Sequence, residues 1–173
     1  HRIDKDTSGL LGVAKNDAAH LSLSKQIAEK SCRRTYIALL EGNLKQDCGT
    51  VATYIGRDPK DRLKMAVVPA DKGRLAITDF TVMQRYIGYT LCRFDLKTGR
   101  THQIRVHAKY LGHPVVGDPV YGIKRQKFAL GGQLLHAARL EFTHPSTGER
   151  MSFEAPLPDY FSDVLKKLKK VQP

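Results

Sequence analysis

Several absences narrow the possibilities before any motif is considered. No apolar run approaches the roughly 18 residues needed to cross a bilayer, and the opening HRIDKDTSGL lacks the apolar stretch of a secretory signal. Cysteine is scarce: Cys32, Cys48 and Cys92 are odd in number and form no C-x-x-C pair. That excludes a disulfide framework and a zinc knuckle, and predicts a reducing, cytoplasmic setting. Neither G-x-x-x-x-G-K-[ST] nor G-x-G-x-x-G occurs, so no nucleotide cofactor is expected. His102 and His107 in HQIRVH do not form H-E-x-x-H and lack a carboxylate companion, so no metal site is expected either. No G-x-S-x-G elbow surrounds Ser8, whose T-S-G context reads as a turn before a strand. The H-R-x-D start differs from the kinase catalytic loop by the inserted Ile3 and by the missing downstream Asn.

What is present points to one domain. A chain of 173 residues, 41% hydrophobic and 27% charged, is large enough for one core and reads as soluble and globular. Its 29 Lys plus Arg stand against 17 Asp plus Glu, a net +12 that favours polyanions through phosphate neutralisation and counterion release. Discounting Lys166, Lys167, Lys169 and Lys170 as a solvated helix end still leaves about +8. The expected partner is therefore nucleic acid, with no membrane, and the expected state is a monomer.

Periodicity outlines mixed structure. Gly9–Ala14 (GLLGVA) reads as a buried strand, and Asp17 opens a helix, DAAHLSLSKQIAEK, with Ala18, Leu21 and Ala28 near one face. TYIALLEG from Thr35 reads as a strand ended by Gly42; Asp79–Arg85 and Tyr89–Leu96 read as a hairpin. Arg100–Leu111 has helical spacing and is stopped by Gly112-His113-Pro114, after which PVVGDPVYG reads as a loop set by its turn residues. Strands at Arg139–Phe142 and Met151–Glu154 precede a basic amphipathic helix, DYFSDVLKKLKK. Sequence-adjacent strands with irregularly inserted helices predict an α+β fold on a largely antiparallel sheet.

Two polar clusters carry candidate chemistry: Asp4 in the opening segment, and KTGRTHQIRVH from Lys97 to His107. Arg100 and Arg105 can reach phosphates or Asp4, and spacing alone does not separate catalysis from an ordinary ion pair. HRIDKDTSGLLGVAK closely resembles the H-R-L-D-x-x-T-S-G-L-L motif of the RluA family of RNA pseudouridine synthases. RRTYIALLEG, KTGRTHQIRVHAKYLGHPVVGDPVYG, LLHAARLEFTHP and MSFEAPLPDYF resemble that family too, in the same order, so the resemblance spans nearly the whole chain. The long motifs look most like its ribosomal large-subunit members of the RluD type.

The resemblance implies the synthase catalytic fold, a mixed, mostly antiparallel sheet flanked by helices, and isomerisation of uridines in structured RNA, above all ribosomal RNA. The reaction moves no electrons, so no cofactor is implied, and the base must leave its stack to react. By resemblance Asp4 is the carboxylate that starts glycosidic cleavage, by covalent attack or by elimination at the ribose. Arg105 pairs with Asp4 and keeps it ionised. Tyr36 stacks on the base and stands near C5 when its proton is lost, although taken alone a tyrosine in an apolar strand reads as core. Arg34 stands where the family carries lysine. Arg2 fills the gap left by the extruded base or contacts the backbone; Thr7, Arg100, Thr101, His102 and Gln103 shape the edge of the pocket; Leu135 lies beneath the uracil. Leu135 could equally be core, and His102 a satisfied structural histidine.

Family members also carry strands, and often an S4-like RNA-binding domain, before the H-R-L-D motif. Residues 1–173 are accordingly expected to be a catalytic domain without those parts, with an open sheet edge and Asp4 in a fraying terminus. The alternative is a catalytically silent RNA-binding fragment with the same fold.

Overall fold

Strand β2 (Arg33–Glu41) shows how sequence pattern becomes a two-sided sheet. Arg34, Tyr36, Ala38 and Leu40 point to one face while Thr35, Ile37 and Leu39 point to the other, as the two-residue period of a strand requires. Both sets are largely buried, because helices cover both faces. The computed structural model describes residues 1–171. In chain order the elements are β1 (Ser8–Gly9), α1 (Asp17–Ala28), β2, β3 (Cys48–Arg57), β4 (Met65–Val67), β5 (Arg74–Tyr86), β6 (Tyr89–Leu96), α2 (Gln103–Tyr110), β7 (Leu135–Thr143), β8 (Arg150–Glu154) and α3 (Asp159–Lys167), with a 3-10 turn at Ala70–Lys72. The strands order as β1-β7-β2-β6-β5-β3-β4, with β8 also pairing β7. All pairings are antiparallel except β1 with β7, which bears out the predicted α+β, mostly antiparallel architecture.

Helix α2 covers one face, where Tyr36, Ala38, Leu40, Phe80, Phe94, Leu135 and Ala137 pack under Ile104 and Ala108. On the opposite face Leu39, Leu91 and Leu134 pack against Phe161 and Val164 of α3. Leu39, Leu40 and Leu134 are fully buried, each worth roughly 1.5–3 kcal/mol in burial. No helix among the described residues is long and apolar enough to cross a membrane.

The β2, β5–β6, β7, β8 and α3 predictions hold within a few residues. Two do not. Of GLLGVA only Gly9 lies in a strand: Gly9 adopts φ +104, and a Cβ there would collide with the Ala137 carbonyl. Beyond it the chain leaves the sheet, so Leu11 is 50% and Val13 75% exposed. Helix α1 forms as predicted, capped by Asn16 accepting from Ala19 N–H at 2.9 Å. Its inward side, however, carries Ala19, Ser22, Leu23, Gln26 and Ile27, whereas Ala18, Leu21 and Ala28 face solvent. The hold on the sheet is polar: the Gln26 side chain donates to Thr143 O and accepts from Thr143 N–H, both at 2.7 Å.

Candidate functional site

Four segments converge on one cleft of about 260 Å³ beside α2. The opening segment contributes Arg2, Asp4 and Thr7, β2 contributes Arg34 and Tyr36, the β6–α2 turn and first turn of α2 contribute Gly99, Arg100, Thr101, Gln103 and Ile104, and β7 contributes Leu135. The β2–β7 register shifts between Thr35 and Tyr36, beside the cleft wall.

Asp4 is tied to the fold by the residues that follow it. The Thr7 N–H donates to Asp4 O at 3.1 Å, closing a turn. Gln133, 1% exposed, donates from Nε2 to Lys5 O at 2.7 Å and to Thr7 Oγ1 at 3.0 Å. Ser8 then pairs with His136 in register. Because His136 Nε2 donates to Ala155 O (3.0 Å), its Nδ1 accepts from the Ser8 hydroxyl (2.9 Å), so Ser8 is an anchor of β1 and not a free nucleophile.

Arg105 reaches Asp4, as the resemblance implies, through a single long contact, Nη1 to Oδ2 at 3.4 Å. Its fork goes elsewhere. Nε and Nη2 bind Asp118 Oδ2 and Oδ1 at 2.7 and 2.9 Å, both partners buried. Asp118 Oδ1 also accepts from the Val120 and Tyr121 amides, at 2.9 Å each. Burial alone would raise the Asp118 carboxyl, but the bonds from Arg105 and Tyr121 outweigh it and hold it below its usual value. Burial likewise opposes charge on Arg105, yet Asp118 and Asp4 hold its pKa above the usual one. The Arg105 guanidinium lies 5.1 Å from the Tyr121 ring centroid. Sequence reasoning missed Asp118 and Gln133.

Tyr36 is 7% exposed and lines the cleft. Burial pushes its phenol up to about 12, with Arg34 pulling down and Asp4 pushing up, so it is protonated at neutral pH. Leu135 is both core and cleft floor. Arg100 donates from Nε to Leu75 O at 2.9 Å, which leaves its remaining N–H groups for the cleft.

Two residues expected at the pocket edge do different work. Gln103, 3% exposed, spends its amide internally: Oε1 accepts from Thr98 Oγ1 (2.7 Å) and Arg100 N–H (2.9 Å), while Nε2 donates to Ile77 O (3.0 Å) and Thr78 Oγ1 (2.8 Å). It braces the turn and has no polar atom left for a ligand. His102 is outside the cleft lining; it takes a left-handed φ of 56 at the N-cap of α2 and bonds through Nδ1 to the Tyr121 hydroxyl at 2.8 Å. Burial lowers its pKa, against the opposing pull of Asp4.

Fold and site together define an α+β domain that presents one tethered carboxylate in a cationic cleft over an apolar floor. The chain belongs to the RNA pseudouridylate synthase family, in the RluA group its motifs resemble: the family's profile matches residues 1–110. It is 51% identical to an uncharacterized RNA pseudouridine synthase, YlyB, of Bacillus subtilis, over 98% of this chain and 55% of that protein. It is 47% identical to the ribosomal large subunit pseudouridine synthase D of Neisseria meningitidis, over 98% of this chain and 47% of that one. The chain thus spans about half the length of the curated relatives it matches. Human RNA pseudouridylate synthase domain containing 1 superposes with a TM-score of 0.79 at 29% identity, over 99% of this chain and 81% of that chain.

Proposed function

We propose that the chain isomerises uridine to pseudouridine in RNA, with large-subunit ribosomal RNA as substrate. The observation that carries this reading is the placement of Asp4: a carboxylate tied down by its own turn, touched by Arg105, and facing Tyr36 and Leu135 across a cleft on the scale of one nucleoside. The reaction breaks the C1′–N1 bond, forms C1′–C5, removes the C5 proton and returns one to N1. Asp4 starts it, by attack at the ribose or by elimination. The uridine leaves its stack, is flipped in and is held over Leu135 beside the Tyr36 ring. The RluD names of relatives support a ribosomal substrate.

Incubating the protein with unmodified large-subunit ribosomal RNA and mapping pseudouridine chemically tests the reading. Wild type is expected to modify discrete positions, and Asp4→Asn to modify none while binding the RNA with affinity within about twofold. Modification by the Asn variant removes Asp4 from its role. Tight binding by wild type without product favours a silent RNA-binding domain.

A further inference from the structure

Arg34 is the unexplained charge of the cleft. It is 7% exposed, has no ion-pair or hydrogen-bond partner among the described residues, and its Nε is a buried donor left empty. Its Nη groups open on the cleft, so an anion seated there is the counter-ion the guanidinium lacks within the fold. The residues around it supply no anion: the flanking Cys32 thiol and Tyr36 phenol are both raised by burial and stay protonated. Asp4, the one carboxylate lining the cleft, faces three guanidinium groups, those of Arg2, Arg34 and Arg100. Arg105 is already neutralised by Asp118.

The surroundings are shaped to hold that side chain in place. A Cβ on Gly99 would meet Arg34 Nη1, so the β6–α2 turn closes directly over the guanidinium. The same turn leads into α2, whose N-cap His102 makes no side-chain cap; the Arg100 and Gln103 amides are taken within the turn, and the positive end of the helix dipole lies at the cleft. We propose that Arg34, the Gly99–Thr101 turn and the first turn of α2 form a phosphate subsite that takes the phosphodiester of the nucleotide whose base meets Asp4. A phosphate fits where a base carbonyl does not, because only an anion compensates the buried charge, and the guanidinium fork matches phosphate oxygens. Arg34 and Tyr36 lie two residues apart on one face of β2, about 7 Å, the span from a phosphate to its own base. This assignment rests on the RNA reading above and adds to it a means of measuring the reach of one nucleotide.

The test compares wild type, Arg34→Met and Arg34→Lys by calorimetric or NMR titration with uridine, uridine 5′-monophosphate, uridine 3′-monophosphate and inorganic phosphate. Wild type is expected to bind one of the two monophosphates at least tenfold more tightly than uridine, and inorganic phosphate to compete with that nucleotide. Arg34→Met is expected to bring the ratio near one with uridine affinity unchanged, and Arg34→Lys to keep part of the preference. Because methionine replaces an uncompensated charge with apolar volume, the Met variant is expected to melt no lower than wild type. A wild type indifferent to the phosphate overturns the proposal. So does a Met variant that keeps the preference, or that melts well below wild type, which marks Arg34 as an internal brace. None of these readouts needs turnover. A phosphate preference without pseudouridine formation therefore sinks the activity alone, and turnover without the preference sinks the subsite alone.

Discussion

Arg105 has two acidic neighbours and gives them unequal faces: a bidentate fork to Asp118 and one N–H at 3.4 Å to Asp4. The strong pair sets the orientation of the guanidinium, and Asp4 receives the remainder. Asp118→Asn keeps the shape but removes the charge, leaving a buried Arg105 with only the distant carboxylate. Loss of one partner of such a pair costs about 3–5 kcal/mol, so the urea midpoint is expected to fall sharply, whereas Asp4→Asn leaves it within about 1 kcal/mol because that contact is long and partly exposed. Equal midpoints in the two variants would mean that Asp118 does not hold the arginine. Asp4, Tyr36 and Arg105 were legible because each sits in a dense motif. Asp118 was not: in GDPVYG an aspartate reads as a turn former, and nothing in the pattern marks a partner 13 positions back on a helix. Gln133 carries even less signal, since a neutral amide acting on backbone 128 positions away has no periodicity. Gln103 lies at the cleft as its motif implies, with its amide bonded inward.

At the scale of elements, α2 is fixed to the sheet by a polar seam that also explains a missed strand. His107 is fully buried between Thr78 Oγ1 at 2.8 Å and Thr53 Oγ1 at 3.0 Å. The chain runs in one direction if Gln103 donates to Thr78, Thr78 to Nδ1, and Nε2–H to Thr53. Strand β3 therefore turns Thr53 inward and Tyr54, 38% exposed, outward, which blurs the alternation that would have revealed CGTVATYIGR as a strand. Burial lowers the His107 pKa from 6.5 to about 4. The folded state thus binds its proton later than the unfolded chain: the stability is intact above about pH 6.5 and is lost as pH falls towards 4, by about 3 kcal/mol over the window. His107→Gln is expected to be less stable at pH 7 but to lose about 3 kcal/mol less than wild type between pH 7 and 4 in urea titrations. Parallel pH profiles would show that the imidazole does not titrate in the fold.

Across the whole molecule the charge was legible as a total but not as a distribution. On the sheet face opposite the cleft two cations are paired: Lys97 with Asp79 at 3.2 Å and Arg93 with Asp95 at 3.0 Å, while Thr50 and Thr35 bond the same two carboxylates at 2.7 Å. Such exposed pairs add little stability, but each leaves no net charge where it sits. Arg2, Arg34 and Arg100 have no carboxylate partner within ion-pair distance among the described residues and converge on the cleft. These three unpaired guanidinium groups add to the excess of +12 at the cleft, where an approaching polyanion meets them on the Asp4 side. Binding of a ribosomal RNA fragment between 50 and 200 mM salt reads this directly. Each phosphate contact to single-stranded RNA contributes roughly −0.7 to the slope of log K against log salt. Arg100→Gln, at the cleft mouth, is expected to weaken binding severalfold and to flatten the slope by roughly that amount. Arg93→Gln removes the same formal charge from a paired site on the opposite face and is expected to change neither. If both variants shifted the slope alike, the RNA would be responding to net charge alone, and the sheet would have no preferred side.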